Sequence, residues 1–192
     1  MSGSNFIQDG TGKGYRAKVD NGNRLRVFSI GATLYERQAE EGKAFNINTE
    51  LLSIASTAET PLLYVTSDEP TDIEIVGWFI GTDFGTVGAN QGLMRVYQSP
   101  TGVTGGTTVP VVNRRAGDPT VFDLSAVHTP TWTPSGTPVL YQTHSLPQRA
   151  FGTVNLFLPR GAGLIVTCEF ATATTPFSIY TGFTGYIAEG VE

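Results

Sequence analysis

Residues 153–170, TVNLFLPRGAGLIVTCEF, hold two short apolar runs parted by the turn Pro159-Arg160-Gly161-Ala162-Gly163. In the second run Leu164, Val166, Cys168 and Phe170 take every other position, the period of a strand with one face buried. Pro and Gly between two such runs mark a tight connection and not a continuing element. Two strands joined this closely need other strands beside them.

The rest of the chain supplies them. Phe45 and Ile47 alternate, as do Leu62, Tyr64 and Thr66, and Ile73, Ile75 and Gly77 oppose Val76, Trp78 and Ile80. Further runs lie at 93–97, 109–112, 120–124, 139–143 and 177–185, with Gly- or Pro-rich loops expected over 81–92, 99–108 and 113–138. Helix-like composition is confined to 34–42 (LYERQAEEG), about two turns long and without a full apolar stripe. Many short strands and almost no helix to cover a sheet leave two sheets burying each other. The expected fold is all-β, an antiparallel β-sandwich, and the 158–164 connection looks like those of double-sheet jelly rolls.

Upstream of the period-two patterning the chain changes character. Gly10 to Gly14 read GTGKG, and runs 15–19 and 24–30 flank Asp20-Asn21-Gly22-Asn23, a hairpin signal. In the second run Arg24, Arg26 and Phe28 face away from Leu25 and Val27. Residues 1–48 carry seven basic and five acidic side chains, whereas residues 49–192 carry five and twelve. All three lysines, Lys13, Lys18 and Lys43, lie in the first part. The division expected is an extended N-terminal arm over 1–43 and a sandwich over 44–192. A short polar segment can collect basic residues without purpose; the sharper reading is that the arm meets an acidic partner.

Composition bounds the function. A chain of 192 residues has core enough to fold without staples, and its lone cysteine, Cys168, reads as a small buried hydrophobe. No apolar run approaches the ~20 residues of a membrane helix, and the N-terminus lacks the basic and apolar regions of a signal peptide, so a cytosolic product is expected. Lys13 follows Gly12 but precedes Gly14 where a phosphate-binding loop needs Ser or Thr. His128 and His144 stand apart, with no GxSxG, HExxH or CxxC, so no catalytic residue, metal or cofactor is expected. Asp68, Glu69, Asp72, Asp118 and Asp123 match no calcium loop and read as solvated turn acids. Trp132, flanked by Pro130 and Pro134, would offer a glycan a stacking face if exposed, or would tuck back over the sandwich. An acidic body without a basic, aromatic-laced stripe disfavours nucleic acid.

Residues 12–29 (GKGYRAKVDNGNRLRVFS), then Gly42-Lys43-Ala44-Phe45-Asn46-Ile47-Asn48 and Thr60-Pro61-Leu62-Leu63-Tyr64-Val65, resemble virion structural proteins of tailed bacteriophages. The resemblance covers about the first 80 residues. It implies a jelly-roll body behind a Gly-rich basic arm, often a homotrimer, acting as a decoration or cement protein on the capsid exterior. The partner would be the major capsid protein, with Lys13, Arg16, Lys18, Arg24, Arg26, Tyr35 and Arg37 as contact candidates. The alternatives are a head- or tail-attached fibre module recognising a host glycan through 113–138 and Trp132, and, last, a small glycan-processing enzyme.

Overall fold

A computed structural model of the chain describes residues 6–8, 16–18, 34–54, 57–83, 91–145, 150–170 and 177–188. Residues 1–33 and 34–192 form separate compact units. In the first, β1 (Phe6–Gln8) pairs antiparallel with β2 (Arg16–Lys18). The run expected at 15–19 thus contains a strand, with Phe6–Gln8 as its described partner. The Asn21-Gly22 turn and the run 24–30 lie outside the described residues.

The second unit opens with α1 (Leu34–Glu40). Gly42 ends it at φ 75°, its N–H bonding Ala39 O at 3.2 Å while Lys43 N–H bonds Gln38 O at 2.8 Å. This paired cap needs a left-handed residue, which glycine adopts without steric cost. The helix packs on the sandwich and buries Gln38.

Among the described residues twelve strands follow: β3 (Ala44–Asn48), β4 (Leu52–Ile54), β5 (Thr60–Ser67), β6 (Ile73–Asp83), β7 (Gln91–Gln98), β8 (Thr107–Thr108), β9 (Val111–Asn113), β10 (Leu124–His128), β11 (Leu140–Ser145), β12 (Ala150–Leu158), β13 (Gly163–Phe170) and β14 (Phe177–Ile187). One sheet runs β11-β7-β13-β5-β10-β8, the other β12-β6-β14-β3-β9 with β4 also on β14, and every pairing is antiparallel. The expected β-sandwich of two antiparallel sheets is the fold.

Four pairings nest inside one another: β7 with β11, β6 with β12, β5 with β13, and β3 with β14. From β11 to β14 the chain changes sheet at every step. The Pro159-to-Gly163 turn makes one such crossing. Gly161 takes φ 75° there, and its N–H bonds Ser67 O at 2.7 Å while Ala162 N–H bonds Pro159 O at 3.0 Å.

Between the sheets lie Phe45, Ile47, Leu62, Ile75, Met94, Val96, Leu164, Val166, Cys168, Phe170 and Phe183. Burial pushes the Cys168 thiol up to about 12. At Gly182 an added Cβ would stand 2.2 Å from Ile47 O and 2.5 Å from the Phe79 ring, so this β14 position admits no side chain.

Two expected runs are corrected. Residues 109–112 are no single strand: Pro110 has no N–H for a ladder, and the chain crosses there from β8 in one sheet to β9 in the other. Residues 120–124 are mostly loop, because Asp118 Oδ1 takes Thr120 N–H at 2.9 Å and Glu69 Oε1 takes Asp123 N–H at 2.6 Å. The strand starts at Leu124 and continues to His128, within the segment 113–138 read as loop. Phe122 nevertheless turns inward, its ring 5.3 Å from that of Phe45.

Sheet edges are blunted by different means. β8 is two residues long and stops before Pro110; β9 is three long and runs into exposed Arg114 and Arg115. β12 is kinked by a register shift between Thr153 and Leu156, and Gln98 Nε2–H caps its Phe157 O at 3.0 Å. Such features stop a sheet from adding foreign strands.

Candidate functional site

The crossing between β8 and β9 leaves a cleft at one side of the sandwich. Asn48, Thr49 and Glu50, which leave β3, form one wall, and Thr107, Thr108, Val109 and Pro110 form the other, with His128 beside them at the end of β10. Its volume is ≈ 500 Å³, within the range of small-ligand sites. The walls are pinned by backbone: Thr49 N–H bonds Thr181 O at 2.8 Å, Thr49 Oγ1 accepts Thr181 N–H at 2.9 Å, and Val109 N–H bonds Ala126 O at 2.8 Å.

His128 is 9% exposed, its Nε2 3.3 Å from Glu50 Oε1 and its Nδ1 3.2 Å from Thr129 Oγ1. Thr129 holds φ 49°, a left-handed conformation uncommon for a β-branched residue. The contact order hydroxyl, imidazole, carboxylate is that of a hydrolytic triad. However, the Glu50 side chain is 73% exposed, so solvent screens the carboxylate that would have to steady an imidazolium. The arrangement is suited to holding a ligand by hydrogen bonds.

A second polar cluster lies on the outer face of the other wing of that sheet. Glu59 Oε2 pairs with Arg95 Nη1 at 2.9 Å, and Arg95 Nη2 with Glu169 Oε2 at 2.7 Å. Tyr97 OH donates to Glu59 Oε1 at 2.9 Å, and Thr167 Oγ1 also bonds that oxygen. Burial, then the bond to Glu59, pushes the Tyr97 hydroxyl up to about 12. Tyr97 in turn meets Trp132 edge-on at 5.1 Å, and both pack with Ile165.

Trp132 is therefore 8% exposed, and its Nε1–H donates to Thr101 O at 3.1 Å. The stacking face considered for a glycan is covered by this chain's own residues. Among the contact candidates, Arg16 and Lys18 are the ends of β2, Tyr35 and Arg37 belong to α1, and Lys13, Arg24 and Arg26 lie outside the described residues. The division at residue 33 sharpens the charge split: residues 1–33 hold five basic and two acidic side chains, net +3, and residues 34–192 hold seven and fifteen, net −8. Among the described residues no group of three or more His, Cys, Asp or Glu could hold a metal ion.

No family model, curated protein or solved structure matches the chain. The chemistry of the two clusters therefore stands on geometry alone. No sequence pattern singles out Glu50, Thr107 and Thr108, or Glu59, Arg95 and Glu169. Each set joins segments more than 30 residues apart, and no spacing signals that.

Proposed function

We propose that this chain is a structural virion protein of decoration or cement type, binding the outside of an assembled tailed-phage capsid and bridging its capsomers without catalysis. The observation that carries the reading is the coincidence of a compact-unit boundary with a reversal of charge, +3 before Leu34 and −8 after Thr33. A basic segment tethered to an acidic body is drawn to an acidic surface while the body stays in solvent. The nested strand pairs support it too, since a jelly roll winds in this way and virion proteins use that fold.

In this reading the protein is a homotrimer whose partner is the major capsid protein. Three arms in one assembly turn weak single contacts into durable attachment, because a bound arm holds its neighbours at high local concentration. Lys13, Arg16, Lys18, Arg24 and Arg26 supply the contacts. Exposed ion pairs contribute only about 0–1 kcal/mol each, so several act together and salt weakens them.

The test is deletion of residues 1–33. The remainder should melt cooperatively as a β protein yet fail to decorate capsids, and Arg24→Glu with Arg26→Glu should weaken binding with little change in Tm. Full occupancy by the truncated chain would place the attachment in the sandwich instead.

A further inference from the structure

The cleft at the β8–β9 crossing has a lining that nothing in the capsid-binding reading uses. We propose that it is a binding site for a neutral saccharide, held by Glu50, which His128 positions, and by Thr107 and Thr108 against Val109 and Pro110. The inference is independent of the virion reading.

The lining decides the ligand class by elimination. Among the described residues neither lysine nor arginine lines the cleft, and the one carboxylate there is Glu50 on a body of net −8, so phosphates and sialylated ligands are repelled. Val109 is buried and Pro110 is one ring, too little apolar surface for a lipid chain. A tight cation site needs several converging oxygens with more than one carboxylate among them, and the described lining has one carboxylate.

What remains matches a sugar. The lining includes the amide of Asn48, the hydroxyl-bearing Thr107 and Thr108 and the Glu50 carboxylate, donors and acceptors of the kind that pair with sugar hydroxyls. Pro110 gives a flat C–H face. The backbone behind these groups is fixed from both sheets, so little ordering opposes binding. One strained backbone position lies beside the cleft, Thr129 at φ 49°, next in the chain to His128. At Gly106 an added Cβ would stand 2.9 Å from His128 O, so β8 lies tight against β10. Strain is retained where surrounding structure imposes it, and binding sites are where it clusters.

The full-length chain should be screened on an array of neutral, amino and sialylated oligosaccharides. The strongest neutral ligand is then followed by saturation-transfer NMR and titration. Expected is binding of neutral members, weakened roughly tenfold or more by Glu50→Gln, since a hydrogen bond to a charged group carries at least that factor. Thr107→Val with Thr108→Val should weaken it similarly while Trp132→Phe leaves it unchanged. Both sets of cleft changes lie at exposed positions, and Tm should confirm folding. The inference is overturned if no neutral saccharide binds at about 10 mM, if binding survives both cleft variants within twofold, or if only sialylated or amino sugars bind.

Discussion

The two polar clusters on the sandwich are built from the same kinds of residue and differ in what is left over. Around Arg95 the charges answer one another: Glu59 accepts from Tyr97 and Thr167 and is ion-paired with Arg95, Glu169 takes the other arm of the guanidinium, and Trp132 meets the Tyr97 ring edge-on. Around His128 one carboxylate reaches an imidazole at 3.3 Å while 73% of its side chain faces water, beside an open cleft. A cluster whose bonds are closed internally holds segments together. One with capacity left over is poised for something else.

That contrast predicts a stability hierarchy, with the greatest loss at Trp132. Trp132→Ala should cost about 3–5 kcal/mol, the range for truncating a buried Trp, because Tyr97 and Ile165 lose their cover. Chemical denaturation would measure it. A loss under about 1 kcal/mol, the size of an average substitution, would mean that the loop carrying Trp132 contributes little to the fold's stability. Next is Glu59→Ala, which leaves Tyr97 OH and Thr167 Oγ1 without their acceptor and removes one of the two carboxylates paired with Arg95, and should cost about 3 kcal/mol. Replacing the pair together, Glu59→Leu with Arg95→Met, should cost less than the sum of the singles, since the orphaned charge is then gone.

How far the sequence shows this can be followed along β13. Its alternation places Leu164, Val166, Cys168 and Phe170 on the buried face, and all four are in the core. The same rule puts Ile165 and Thr167 on the outer face, and there it stops short, for both are 0% exposed. They are covered by the Trp132 loop and bonded to Glu59, neither near them in sequence. Periodicity reads a strand's two faces; whether the second face is wet depends on distant segments. The loop acids show the same limit. Asp118 is a turn acid that caps Thr120 N–H, though its side chain is largely covered, and Glu69 is buried and holds Asp123 N–H. The cleft is not legible in the sequence at all, because Glu50 and Thr107 meet only after the nested pairs have brought the edges of both sheets to one side.

A smaller effect comes from pH. The Tyr97 hydroxyl is pushed up to about 12 from the usual 10 by burial and by the Glu59 acceptor. A raised folded-state pKa means stability that is complete below the unfolded value and lost as pH climbs through the folded one. The protein should therefore weaken between pH 10 and about 12, and Tyr97→Phe should remove part of that loss while costing about 1–3 kcal/mol at pH 7. Denaturant midpoints across that range, with tyrosinate absorbance as titration readout, would show it. An unchanged alkaline limb in Tyr97→Phe would mean another group carries the loss.

The smallest effect belongs to the open cluster and completes the contrast. Glu50→Gln replaces a largely solvated carboxylate with an amide of the same shape and leaves His128 in contact with Thr129. Surface changes of this sort fall within about 0.5 kcal/mol, and for a chain of this size about 1 kcal/mol moves Tm by about 2–4 °C. Tm at pH 7 should therefore shift by less than about 2 °C. Thr49, next in the chain, is held by two bonds to Thr181 that do not involve the carboxylate, so the cleft wall should keep its place. A drop of more than about 5 °C would show that the Glu50 to His128 contact ties the two sheets together at this edge. The cleft would then be a closed structural cluster like the one at Arg95, and its capacity for a ligand would be gone.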